Sequence, residues 1–124
     1  IRIVGRAKDI IIRGGENVPV VEIENILYRH PAVRDAAIVG MPDQRLGERI
    51  CAFVAPRPGE EFSFEAMADF LAEQKMAQQY FPERLELIDD MPRNATGKIQ
   101  KFVLRERAAA LAQEELPNRK RRTG

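Results

Sequence analysis

The segment PRNATGKIQK, Pro92 to Lys101, sets one Gly-Lys pair on a polar turn between apolar stretches. A lysine behind a glycine suggests a phosphate-cradling loop, and its spacing can be tested. Such a loop needs a glycine five residues before the second glycine, and Ser or Thr after the lysine to hold magnesium. Pro92 and Ile99 stand at those positions, so that reading fails. Lys98 is left as an ammonium on a long stem with no evident partner nearby in sequence. A second site of interest is RGGEN, where Gly14-Gly15 signals a tight turn, since glycine takes positive φ without steric cost.

Other reactive residues have plainer readings. His30 is the single histidine and Cys51 the single cysteine, and the two alone make no triad. His30, before Pro31, reads as a packing or capping group, and Cys51, inside ICAFVA, as a small core residue. Asn94-Ala95-Thr96 matches a glycosylation acceptor, but the match is short and nothing marks the chain as secreted. Asp89-Asp90 reads as solvated charge at a strand end. No cluster has metal-ligand spacing, so no metal site is expected.

The elements that must position Lys98 and the glycine pair follow from hydrophobic periodicity. Asp9–Ile12 reads as a short β run before the glycine turn. Val20, Ile23, Leu27 and His30 recur at helical spacing, predicting a helix over about Val20 to Tyr28 that Pro31 stops. VRDAAIVGM and ERICAFVAP read as two strands about the turn-rich PDQRLG. Ser63 is the expected N-cap of a helix through Phe64, Met67, Phe70 and Leu71. RLELID reads as a short strand with Leu85 and Leu87 on one face, and Leu104, Ala108 and Leu111 mark a C-terminal helix. The fold class is α+β, a small mixed or antiparallel sheet with flanking helices.

Length and charge bound the rest. The 124 residues, 44% hydrophobic, fit one domain. With 20 basic and 19 acidic residues the net charge is +1, so no overall field favours nucleic acid or membrane. Arg119–Arg122 is the one basic block, and residues 117–124 read as a basic, disordered tail. No apolar run reaches membrane-spanning length, and the chain opens without a charged-then-apolar leader, so the expected compartment is the cytoplasm.

GRAKDIIIRGGEN, HPAVRDAAIVGMPDQRLGE and PRNATGKIQK stand in that order, and the arrangement resembles the C-terminal domain of the adenylate-forming superfamily. Acyl-CoA synthetases, adenylation domains of peptide synthetases and luciferase-like enzymes share it. The resemblance covers about Val4 to Arg107, and the C-terminal domain is expected to span residues 1–116. QQYFPERLE and TGKIQK are similar to ligases for medium-chain, alicyclic or aromatic acids, such as cyclohexanecarboxylate. Asn17-Val18-Pro19 departs from the common pattern, bringing proline one place earlier.

The resemblance implies a two-step reaction. A carboxylate attacks the α-phosphorus of ATP, releasing pyrophosphate, and the thiol of coenzyme A then displaces AMP. It implies Lys98 as the catalytic cation of the first step, Lys8 as the hinge and Arg6 as a contact to nucleotide. Gly14 and Gly15 would line the passage for the pantetheine arm, and Glu16 and Asn17 would fix that turn or the domain interface. ATP and Mg2+ would be bound mainly by a large N-terminal domain of the same enzyme, which this stretch does not include. Partners implied are that domain, the carboxylic acid and, through the P-x-x-x-x-G-K spacing, a protein lysine acetyltransferase acting on Lys98. Two alternatives stay open: an adenylation domain serving a carrier protein, and a small non-catalytic α+β binding domain in which Lys98 is a surface charge.

Overall fold

The computed structural model describes residues 11–45 and 47–123, with side chains as far as Glu114. A short antiparallel hairpin comes first, β1 (Ile12–Arg13) and β2 (Glu16–Asn17), followed by α1 (Val20–Tyr28). Then come β3 (Val33–Asp43) and β4 (Gly47–Pro56), paired antiparallel from Val33↔Pro56 to Asp43↔Gly47. α2 (Phe64–Glu73) and a 3-10 turn (Gln78–Tyr80) lead to β5 (Arg84–Leu87), which pairs parallel to β4 with Cys51 opposite Arg84. α3 (Lys101–Thr123) ends the chain. The main sheet is therefore mixed, in the order β3-β4-β5.

Why β3 and β4 read as nearly continuous apolar runs is visible in the layers: both faces of the sheet are covered. On one face Ala36, Ile38, Ile50, Ala52 and Val54 pack with Ile23 and Leu27 of α1 and Met67 and Leu71 of α2. On the other, Ala37, Val39, Met41, Cys51 and Phe53 pack with Leu104 and Ala108 of α3. The period of two assigns alternate residues to opposite layers. A register shift between Val33 and Asp35 breaks the alternation once. Val33 consequently joins Ala36 on the α1 face, while Asp35 takes the parity of Ala37 and Val39 on the α3 side.

The smaller expectations resolve locally. Ser63 caps α2, its Oγ accepting from the Ala66 N–H at 3.0 Å. Ser63→Ala should lower stability by about 1 kcal/mol, read as a denaturation midpoint shift at unchanged slope. His30 packs edge-on against Phe62 and Phe70, and its Nδ1 accepts from the Ala32 N–H at 3.0 Å. Cys51 is fully buried in the core. Leu85 of β5 packs on the α1 and α2 layer, whereas Leu87 is exposed. Of the expected first β run, Ile12 lies in β1, and Asp9 and Ile10 fall outside the described residues.

The C-terminus differs from expectation. The backbone of 117–123, expected as a disordered tail, continues α3. The preceding LRERAAALAQEEL, residues 104–116, is built almost wholly from strong helix formers, and the helix it sets up runs on through Pro117.

Candidate functional site

Lys98 stands near the end of a small hairpin. Arg93 and Ile99 form an antiparallel bridge, and the Gln100 N–H donates to the Pro92 carbonyl at 2.8 Å. Within it the Asn94 N–H donates to the Lys98 carbonyl at 3.0 Å and the Gly97 N–H to the Asn94 carbonyl at 2.9 Å. Gly97 has φ +88°, a conformation that side chains resist, which is why glycine precedes the lysine. The Asn94 side chain knits the tip together. Its Oδ1 accepts from the Thr96 N–H at 3.0 Å, the Thr96 hydroxyl at 2.7 Å and the Lys98 N–H at 3.0 Å. The residue that sequence motifs offer as a glycan acceptor is thus the organiser of the loop. Asn-x-Thr-Gly, with its appetite for Asx turns, was the signal that could have shown this.

Lys98 itself is exposed and makes no ion pair among the described residues. It borders an open groove of about 660 Å³ between α1, the exposed edge of β3 and the start of α3. Val21, Tyr28 and Phe102 line that groove and are 64%, 42% and 50% exposed. Its floor is polar but satisfied: Glu24 accepts from the edge-strand Ile38 N–H at 2.8 Å and pairs with Lys101. The arrangement offers a cation, without an ion pair among the described residues, beside an apolar rim, with neighbouring basic groups at Lys101 and Arg105. Such a surface suits an anion held by something that docks against the rim.

The glycine pair is elsewhere. Gly14 and Gly15 connect β1 to β2 with φ +58° and +88°, the two positive values a tight hairpin turn of this kind demands. Three side chains that sequence reasoning missed hold the hairpin to the domain. Glu48 accepts from the Ile12 N–H at 2.9 Å, and Gln79 donates to Glu16 at 2.9 Å. Glu83 accepts from Arg13 Nε at 2.8 Å and from the Ile50 N–H at 3.0 Å. Its hydrogen bond to the Glu83 carboxylate raises the Arg13 guanidinium pKa above its ordinary value, so Arg13 stays cationic. No local pattern links residues 13 and 83, which explains why these anchors escape a reading of the chain.

The hairpin bonds near Ile50, whose partner is Gly40, whereas the lysine loop reaches β3 at Asp35. Five residues of strand separate those anchor points, roughly 17 Å at about 3.4 Å per residue. Lys98 and the Gly14–Gly15 turn are therefore not brought into one site. Arg6 and Lys8 lie outside the described residues. Among those described, no group of His, Cys, Asp and Glu could hold a metal ion, and no helix is long and apolar enough to cross a membrane.

The family described as the AMP-binding enzyme C-terminal domain matches residues 22–98, more than half of the chain and ending on Lys98. The chain belongs to that family. It is 47% identical over 106 residues to a medium-chain fatty-acid–CoA ligase of Escherichia coli, covering 85% of this chain and 19% of that protein. It is 50% identical over 102 residues to a 2,3-dihydroxybenzoate-AMP ligase of Bacillus subtilis, covering 82% and 19%. The fold is similar to the ATP-bound crystal structure of MatB from Rhodopseudomonas palustris, with TM-score 0.76 and 36% identity. That match covers 81% of this chain and 20% of the other. The chain thus spans about a fifth of the length of the relatives it matches.

Proposed function

We infer that this AMP-binding C-terminal domain serves a carboxylic acid–CoA ligase, which activates an acid with ATP as its acyl-adenylate and transfers it to coenzyme A. The observation that carries the reading is Lys98. It is an exposed ammonium, without an ion pair among the described residues, on a loop built rigidly around it at the boundary of the family match.

Carboxylate and triphosphate are both anionic, so the first step concentrates negative charge at the α-phosphorus. A cation aimed at those oxygens favours the transition state over the separated reactants, which is the condition for catalysis. The ATP, its Mg2+ and the acid would be held mainly by an N-terminal domain docking on the Val21–Tyr28–Phe102 rim, with Lys98 reaching into it. The thioester step calls for a thin backbone along the pantetheine arm, which the Gly14–Gly15 turn supplies. Since the two features are anchored roughly 17 Å apart, at five residues of strand, one docked orientation does not serve both steps. Rotation about a hinge at Lys8 would exchange them, with Arg6 contacting nucleotide. A single cysteine, Cys51, buried in the core, suits a reducing compartment such as the cytoplasm. Acetylation of Lys98 by a protein acetyltransferase would delete the charge and silence the first step.

The acid is assigned only to class. A medium-chain ligase and an aryl-acid ligase are both among the relatives, which favours medium-chain, alicyclic or aromatic acids. The test uses the full-length protein with ATP, Mg2+, coenzyme A and a panel of such acids. Acid-dependent AMP and acyl-CoA are expected. Formation of ADP, or AMP release indifferent to the acid, would overturn the reading. The 124-residue chain alone should release no pyrophosphate under the same conditions.

A further inference from the structure

The bonds made by Asn94 set the shape of the lysine loop, but all of them lie within it. Besides the packing of Ile99 on the α3-side core, Arg93 ties it to the sheet. One arm of that guanidinium, Nη1, donates to the Gly97 carbonyl at 2.7 Å, the peptide immediately before Lys98. The other, Nη2, donates to Asp35 Oδ1 at 2.6 Å. Asp35 lies on β3, and its side chain is 15% exposed. Its second oxygen is occupied by Arg34 Nε at 3.2 Å, so the carboxylate is held from both sides. Asp35 follows the register shift and shares the parity of Ala37 and Val39, on the α3 side of the sheet.

We propose that Arg93 and Asp35 are positioning residues for Lys98, a clamp that ties the lysine-bearing peptide to the sheet in the acid-activation step. An isolated surface ion pair contributes little. This one differs because a planar fork joins a largely buried carboxylate to a main-chain carbonyl at a fixed distance. Lysine at position 93 offers a point charge that can meet one of those acceptors at a time. Neither residue touches substrate in this scheme. Both act through Lys98, so the inference rests on the function proposed above.

In the full-length protein, Arg93→Met is expected to lower kcat for acid-dependent ATP–pyrophosphate exchange by about ten- to a hundredfold, the penalty of a misplaced group. KM for ATP and transfer from supplied acyl-adenylate to coenzyme A should stay within about twofold of wild type, since neither uses the Lys98 contact. Asp35→Asn should show a smaller loss of the same kind, and Arg93→Lys should recover part of it. The deciding measurement is a cycle with Lys98→Ala. Once Lys98 is absent, Arg93→Met should reduce exchange no further, because residues acting through one another are not additive.

A further tenfold loss in the Lys98→Ala background, or equal losses in both half-reactions, would overturn the clamp. So would full exchange activity in Arg93→Met. If Arg93→Met does not fold, Asp35→Asn and its double variant with Lys98→Ala carry the same decision. Should Lys98→Ala abolish exchange while the clamp variants leave it intact, the positioning role falls and the proposed function stands. Should Lys98→Ala itself leave exchange intact, both fall.

Discussion

Lys98→Ala in the full-length protein is expected to lower acid-dependent ATP–pyrophosphate exchange by about a hundredfold or more, the usual consequence of removing a preorganised transition-state donor. The size follows from placement. Lys98 is exposed, makes no ion pair among the described residues, and is carried by a loop whose backbone Asn94, Gly97 and Arg93 hold in one shape. A cation with no ion pair among the described residues contributes little to their stability, so its loss should leave folding unchanged. The second half-reaction discriminates. Thioester formation from supplied acyl-adenylate and coenzyme A should remain within a few-fold of wild type, because the charge is required only while the carboxylate meets the triphosphate. Comparable losses in both half-reactions would remove the division of labour assigned to Lys98 and the glycine turn.

Phe53→Ala is expected to destabilise the domain by about 3–5 kcal/mol, the range for truncating a buried aromatic. Phe53 lies on the central strand β4, is 0% exposed and packs against the layer closed by Leu104 and Ala108. Its removal leaves a void between sheet and α3, and β4 has a neighbour on each side, so the strand has little freedom to collapse into it. Domains of this kind are stable by only about 5–15 kcal/mol, so a large part of the margin disappears. Thermal or urea denaturation should show the midpoint falling by roughly 10–20 °C or the equivalent in denaturant. A shift under about 1 kcal/mol would mean that α3 does not close this face of the sheet as described.

Both predictions depend on how much of the molecule the chain declares locally. The helix over Val20–Tyr28 was legible because its apolar residues repeat at helical spacing and Pro31 limits it. Ser63 as a cap was legible for the same local reason, since the bond it makes spans three residues. β3 and β4 announced themselves as apolar runs bounded by turn residues, and their burial on both faces agrees with that pattern. The backbone of 117–123 continues α3, where a block of like charges by itself reads as a solvated tail.

What the sequence by itself determined was the identity of the candidate groups: Lys98 behind Gly97, the Gly14–Gly15 turn, and three motifs in an order that marks the family. These are contiguous in the chain, so their chemistry is set by neighbours a few residues away. Only the tertiary structure decided what holds them and how they are disposed. Arg93 to Asp35 spans 58 residues, and Arg13 to Glu83 spans 70. Such pairs leave no periodic trace, because each is fixed by strand register rather than by local spacing. The parallel placement of β5 beside β4 is likewise a product of packing, with Leu85 facing the α1 and α2 layer and drawing Glu83 to Ile50. The separation of Lys98 from the glycine turn has the same origin: the sheet anchors them near opposite ends of one ladder, a distance that no stretch of sequence records.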